Sequence, residues 1–528
     1  MIGFIVTSDE PQDMKITPDE IRRINEKYEI WFYEENKIPN LSIREFSYSA
    51  IPKCLGLLED EAMVESGIIK LQNYPTLSLK GQGVFIAIID TGINYSDEIF
   101  NDKYGNSRIF AIYDMENETE YDNEKINEGN IPNMDSNGHG TYIASIAAGG
   151  ERPKDNFVGA APEAELLVVR LPSVSDKLKD FYFIPKESTV YSESDIMLGV
   201  NWADKIAEKN NKPLVILLGL GCNNGGHSGT SYLADYLDDM NSKVDRAVVV
   251  ATGNEAINNH HYSGIVKDEL NPDRIEINVE SGVNGFYFEL WAKAPERFAL
   301  QIQSPTGSYI PKTRPYYGDN EIGKFTFEET IVEIDYRNVG KKSRDELIFV
   351  RLSNVIAGIW NIIIYPEKAV SGNFNIYLPM ENLLEGSVFF IKPNPFSTLT
   401  MPSDGNVLIS AGGYQTNGGG VYLKSGRGYP LNNIVKPDFV ALAVNVRGRG
   451  LLDNYIILSG TSAASAITAG ACAQILQWGS VERNAVGING VDIKNLFIRG
   501  CIRQPGEEYP NKELGYGKLN VYDALRII

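Results

Sequence analysis

Short, unbroken apolar runs recur along the first half of the chain. Gly83-Val-Phe-Ile-Ala-Ile-Ile-Asp90 is one, and 166–170, Leu214–Leu218 and 247–251 have the same character. Runs of this length without alternation suit strands buried on both faces of a parallel sheet. Between them, 140–148 and 194–209 carry apolar positions at helical spacing. Strand alternating with helix predicts an α/β fold, a mostly parallel sheet covered by helices on both faces. Chemistry in such folds gathers beyond the carboxyl ends of the strands, and Asp90 and Asn254 both stand just past one.

The pattern changes near residue 264. Until about 395 the chain alternates apolar and polar positions in short stretches with almost no helical spacing: 274–279, 285–291, 298–303, 324–327, 346–352, 359–365 and 374–378. Turn formers such as Ser304-Pro-Thr-Gly307 and Ser371-Gly-Asn373 separate them. Seven or so strands without helices predict an all-β sandwich or jelly roll. The α/β pattern returns at 406–411, so the sandwich reads as an insertion. The organisation expected is an N-terminal segment over 1–70, an α/β domain over 71–263, the inserted β domain over 264–398, and the rest of the α/β domain over 399–528.

At the N-terminus, 2–7 is apolar and 29–33 alternates like a strand. Thr17-Pro-Asp-Glu20 has the form of a helix start, with Thr17 as N-cap, Pro18 in the first turn and Glu20 completing a capping box. A small α/β segment is therefore expected there. Near the other end, small and apolar residues from Ala463 to Trp478 predict a buried helix, and Ser462 stands at its start. A hydroxyl so placed lies at the positive end of the helix dipole, among backbone N–H groups without helical partners.

Composition narrows the partners. The 528 residues carry a formal net charge of −20, which argues against nucleic acid or an anionic membrane as the main partner. No stretch is long enough to span a membrane. The first residues lack a basic region and a long apolar run, so no signal peptide is expected; the expected location is cytoplasmic, with non-classical export as the other route. The four cysteines are scattered, without a CxxC pair, and are expected to be free thiols in a reducing compartment.

Four short motifs carry candidate chemistry. Asp90-Thr-Gly92 sets a carboxylate at a strand end before a turn glycine. Asp135-Ser-Asn-Gly-His-Gly-Thr141 flanks His139 with glycines that leave its imidazole uncrowded, and a small-residue helix follows. Val248-Val-Val-Ala-Thr-Gly-Asn-Glu255 ends a buried strand in Asn254, whose amide is suited to donate to an oxyanion. Ser459-Gly-Thr-Ser-Ala-Ala-Ser-Ala466 holds Ser462; Ser459 is the weaker nucleophile candidate because it precedes the helix.

The order Asp, His, Asn, Ser is that of subtilisin, distinct from other Ser-His-Asp hydrolases. These four motifs and Lys436-Pro-Asp438 resemble the blocks of subtilisin-like serine proteases over about 80–265 and 400–528. The β insertion and the short N-terminal piece resemble, more narrowly, the clostridial germination-type (Csp-like) subtilases, a group that implies a jelly-roll insert and a spore-associated location as the alternative to a cytoplasmic one, and that includes pseudoproteases. One departure lies after the serine, where the family commonly has Ser-Met-Ala-(Ala/Thr)-Pro and this chain has Ser462-Ala-Ala-Ser-Ala466. Alanine is a good helix former, so the loss of Pro is tolerable there.

The resemblance implies a serine endopeptidase: Ser462 as nucleophile, His139 as general base, Asp90 as its orienting carboxylate, and Asn254 in the oxyanion hole. It implies an extended peptide or protein substrate against Leu218, Gly219, Leu220, Gly221 and Gly253, with a second edge near Arg170-Leu-Pro172. The segment 173–193 is either a cleft wall or a surface excursion. No cofactor is required for the chemistry. Structural calcium is a family habit, but no DxDxDG loop is present. The N-terminal segment has the position of a prodomain and looks short for one. Two other readings keep the same motifs: a catalytically silent regulator, and a peptide acyl transferase. The oligomeric state has no signal.

Overall fold

A computed structural model describes residues 2–7, 16–23, 28–38, 61–313, 320–339, 345–416 and 420–526. The chain divides into two compact units, Met1–Glu59 and Asp60–Ile528.

In the first unit, Ile2–Thr7 and Glu20–Arg23 pair antiparallel with Tyr28–Tyr33 between them. The helix expected from Thr17 is therefore a strand. Asp19 N–H donates to Phe32 O at 2.9 Å. The Asp19 carboxylate accepts from Glu34 N–H at 2.9 Å and pairs with Lys37. Its acceptors thus serve the neighbouring strand rather than a helix start, and cross-strand pairing overrides the local capping signal.

The larger unit is built on an eight-stranded sheet. Its order is Phe439–Leu442, Ile409–Tyr414, Arg246–Ala251, Leu214–Leu218, Phe85–Asp90, Glu165–Arg170, Ile109–Asp114, Thr119–Asp122. All neighbours are parallel except the last pair. Phe85–Asp90 explains why its sequence run is unbroken. Ile86 and Ile88 join a core with helices His139–Ala148 and Thr461–Leu476, while Phe85, Ala87 and Ile89 join another with Glu193–Lys209 and Tyr232–Asn241. Helix Thr461–Leu476 is buried at nearly every position, which its Ala- and Gly-rich sequence permits by close approach. Residues Met63 and Ile68, grouped in sequence with the N-terminal piece, pack in the same core.

Arg246–Ala251 and Ile409–Tyr414 are neighbours in this sheet, and between them in sequence lie two antiparallel sheets. One orders His261–Ile265, Asn373–Tyr377, Gly285–Ala292, Asp345–Ser353, Ile331–Val339 and Asn320–Lys324. The other orders Tyr309–Ile310, Arg297–Gln303, Gly358–Lys368, Asp273–Val279 and Val388–Phe390. Alternate residues of both, among them Phe286, Phe288, Ile348, Ile277, Leu300 and Trp360, share one core, so the insertion is a sandwich. Two details depart from expectation. The strand expected at 324–327 ends at Lys324, and Phe325–Glu328 turns instead, Glu328 N–H donating to Phe325 O at 3.2 Å. Ile331–Val339 is a strand whose charged outer positions masked its alternation.

Candidate active site

The Asp90 carboxylate is fully buried at the end of the central strand. It accepts from Thr91 N–H at 2.7 Å and meets His139 Nδ1 at 2.8 and 3.0 Å. Burial by itself disfavours the imidazolium. The Asp90 charge and hydrogen bond, with Asp135 adding to them, outweigh that and hold the His139 pKa above its ordinary value.

His139 is the first residue of its helix, and a buried carboxylate fixes that start. Asp135 Oδ1 accepts from Gly138 N–H at 2.7 Å, Asn137 N–H at 3.0 Å and Thr91 Oγ1 at 2.9 Å. Its Oδ2 accepts from Thr141 N–H at 3.0 Å and Thr141 Oγ1 at 2.6 Å. Thr91 Oγ1 in turn accepts from Gly140 N–H at 2.9 Å. Asp135 thus ties the aspartate loop to the histidine helix, a role the sequence reading did not give it although Asp135 and Thr141 bracket the quoted heptapeptide. Gly92 lies at φ +114°, and a Cβ there would stand 1.8 Å from Met134 O, so only glycine lets the two loops meet.

Ser462 opens the helix Thr461–Leu476, and its hydroxyl donates to Gly219 O at 3.0 Å. A Cβ on Gly219 would stand 3.0 Å from His139 Cε1 and 3.4 Å from Ser462 Cβ, so the histidine and serine flank this glycine. Asn254 Oδ1 accepts from Thr461 N–H at 3.1 Å. Its Nδ2 has no acceptor among the described residues and is the end able to donate. Gly253 N–H donates to Thr461 Oγ1 at 3.0 Å, a second bond between the same two segments.

His139, Asn254 and Ser462 line one cleft of about 830 Å³, together with Gly219, Leu220, Gly221 and Gly253. Leu218 does not reach it, nor do Asp90 and the expected second edge Arg170-Leu-Pro172; the Leu218 side chain is buried in the core against helices Glu193–Lys209 and Tyr232–Asn241. The segment 173–193 is a cleft wall, through Val174, Leu178, Tyr182, Ile184 and Tyr191. Arg170 sits at the neighbouring strand end, paired with Asp114 and Glu116.

Lys436 has a structural place. Its ammonium is buried and donates to Leu408 O at 2.6 Å, Ser410 Oγ at 2.9 Å and Asp438 Oδ2 at 2.8 Å. Cys222, Cys472 and Cys501 are free; burial pushes the Cys222 thiol up to about 12, which leaves it un-ionised near neutral pH. Among the described residues no group of three or more His, Cys, Asp or Glu side chains is placed to hold a metal ion. No helix among them is long and apolar enough to cross a membrane.

A mostly parallel α/β sheet that brings a histidine backed by a buried aspartate, a serine at a helix start and a strand-end asparagine to one cleft is the arrangement of a class of serine hydrolase. The family model for the Subtilase family (peptidase S8) matches residues 81–271 and 370–517, passing over the middle of the sandwich, and the chain belongs to that family. Among solved structures, the Clostridium perfringens CspB protease superposes with a TM-score of 0.80 at 27% identity, covering 89% of this chain and 97% of that one. Curated relatives match over shorter stretches. Serine protease AprX of Bacillus subtilis is 29% identical over 142 residues, 26% of this chain and 25% of the relative. The mouse membrane-bound transcription factor site-1 protease is 31% identical over 141 residues, only 13% of its own length. The likeness to CspB, sandwich included, bears out the expected resemblance to Csp-like subtilases.

Proposed function

We propose that the chain is a serine endopeptidase that hydrolyses peptide bonds through an acyl-enzyme. The observation that carries this reading is the pair of buried Asp90 and half-buried His139 beside Ser462, a Cβ on Gly219 standing within 3.4 Å of both the imidazole and Ser462 Cβ. Ser462 Oγ turns from Gly219 O to His139 Nε2 when substrate enters; such bonds often form only in the complex. It attacks the carbonyl while His139 takes its proton. The carbonyl oxygen becomes an oxyanion, held by Asn254 Nδ2 and the N–H of Ser462. Collapse expels the amine, which His139 protonates. Water, activated by the same imidazole, then releases the acid. Asp90 keeps Nδ1 protonated, so that Nε2 takes the Ser462 proton and gives it to the leaving amine, and its charge stabilises the imidazolium between those steps.

The substrate is an extended protein or peptide laid against the backbone of Leu220 and Gly221. The sandwich is the counterpart of the jelly roll in germination-type subtilases, which also suggests a clostridial source. A fluorophosphonate probe tests the reading. Labelling at Ser462, lost in Ser462→Ala and suppressed in His139→Ala, supports it. A folded wild-type protein that takes no label on Ser462 refutes it. Mass spectrometry of peptide products with an added amine separates hydrolysis from acyl transfer.

A further inference from the structure

Gly285–Ala292 is buried at all eight positions, although it lies in a two-sheet sandwich. Phe286, Phe288 and Leu290 fill the sandwich core, so the outward residues must be covered by something else. Tyr287 and Glu289 face the loop that follows sheet strand Leu214–Leu218. Glu289 accepts from Asn224 Nδ2 at 2.7 Å, Gly225 N–H at 2.8 Å and Trp291 Nε1 at 2.8 Å. Tyr287 OH donates to Asn224 Oδ1 at 3.0 Å. Asn224 and Tyr287 both line the cleft.

The adjoining strand Asp345–Ser353 adds a second grip. Ile348, Val350 and Leu352 point into the core, and Phe349 and Arg351 point out. Phe349 stacks on Phe181 at 5.7 Å between ring centres with the planes 11° apart, and meets Tyr287 at 5.4 Å. The Arg351 guanidinium lies 4.9 Å from the rings of both Phe181 and Phe183, and its Nε donates to Phe181 O at 3.0 Å. Phe183 fits because Gly285 has no side chain; a Cβ there would stand 2.5 Å from its ring. Between these anchors Tyr182 packs on Tyr287 at 5.2 Å and faces the cleft with it. Leu178, Ile184 and Leu220 line the same cleft.

We propose that the sandwich positions the substrate-selecting wall of this cleft: Phe349 and Arg351 hold Phe181–Phe183 so that Tyr182 and Tyr287 close an apolar subsite for a large apolar side chain of the bound peptide. The inference rests on the protease reading. Phe349 and Arg351 are positioning residues; Tyr182 and Tyr287 meet the substrate. Aromatic stacking supplies a rigid wall with few rotamers to freeze. The cation–π contacts and the Phe181 carbonyl bond fix the wall's angle.

The test uses the full-length chain, a mixed-sequence peptide library and the fluorophosphonate probe. Wild type is expected to prefer a large apolar residue over glycine at one position N-terminal to the cut. Tyr182→Ala, Phe349→Ala and Arg351→Gln should each cut that preference about tenfold in kcat/KM ratio. In Phe349→Ala and Arg351→Gln labelling of Ser462 should keep its wild-type rate, and Phe349→Tyr should restore the preference. Phe349 and Arg351 leave the sandwich core untouched, and Arg351→Gln decides the matter if Phe349→Ala does not fold. An unchanged preference in Arg351→Gln overturns the proposal while leaving the protease reading intact, as does a loss of labelling in step with the loss of peptide turnover. A wild type that takes no label removes both.

Discussion

The side-chain oxygen of Asn254 accepts from the backbone N–H of Thr461 at 3.1 Å, joining residues 207 positions apart. The bond spans the whole sandwich insertion and engages Oδ1, which leaves Nδ2 as the end of the amide able to donate. Asn254→Asp separates the two uses of this side chain. The aspartate still accepts from Thr461 N–H, so the fold should keep its Tm within a few degrees. On the proposed mechanism it presents a second oxygen in place of the donor to the oxyanion, so kcat should fall at least as far as in Asn254→Ala. For the alanine variant the expected loss is about 10²–10³-fold, the contribution such a donor makes in subtilisin. Steady-state kinetics on one peptide, beside a thermal melt, checks both halves.

The Asp90–His139 pair sets a pH dependence. His139 must be neutral to accept a proton, and its pKa is raised above the ordinary 6.5. The acid limb of kcat/KM should therefore have its midpoint above pH 6.5. In Asp90→Asn the Asp90 charge is gone and burial is opposed only by the smaller pull of Asp135, so the limb should move to lower pH while the plateau drops about 10⁴-fold. Stability follows the opposite course. A base with a raised folded pKa stabilises the protein fully below its unfolded pKa, and the contribution fades as pH rises through the folded value. Urea titrations across that window should show wild type losing this increment and Asp90→Asn lacking it.

Asp135 is predicted to matter as much to the site as to the fold. Five donors from the two loops converge on its carboxylate. Asp135→Ala leaves them buried without an acceptor, at a cost of about 3 kcal/mol or more. His139 loses the start of its helix, so Ser462 labelling should slow as well. Asp135→Asn, which keeps one acceptor oxygen, should fall between in both melting temperature and labelling rate.

Much of this was legible in sequence because the relevant forces are local or repetitive. The run at Phe85–Asp90 is apolar at successive positions because its two faces feed two cores. The site residues sit in short peptides whose glycines are demanded by close backbone approach, as at Gly92. What escaped is non-local. Asp19 looks like part of a helix start, and only the strand at Tyr28–Tyr33 makes it an edge. Leu218 belongs to the motif that borders the cleft, but strand alternation turns its side chain into the core. Glu289 and Phe349 look like solvent-facing positions of sandwich strands; nothing near them in sequence announces Asn224 or Phe181.

Lys436 supplies the last prediction. Its ammonium is desolvated, which lowers its pKa to about 8, yet it satisfies Leu408 O, Ser410 Oγ and Asp438 at once. Asp438 also accepts from Ser410 N–H at 2.7 Å, and Ser410 lies in the strand that carries the chain back from the sandwich. Lys436→Met removes the cation and leaves a buried carboxylate with Lys494 at 4.0 Å as its remaining counter-charge. Breaking a buried pair from one side costs about 3–5 kcal/mol. Replacing both partners, Lys436→Met with Asp438→Leu, removes the stranded charge and should recover part of that loss, though Ser410 N–H then lacks its acceptor. The order expected in urea denaturation is wild type, then the double variant, then Lys436→Met. A single variant as stable as wild type would mean that the pair contributes nothing to holding the two halves of the sheet together.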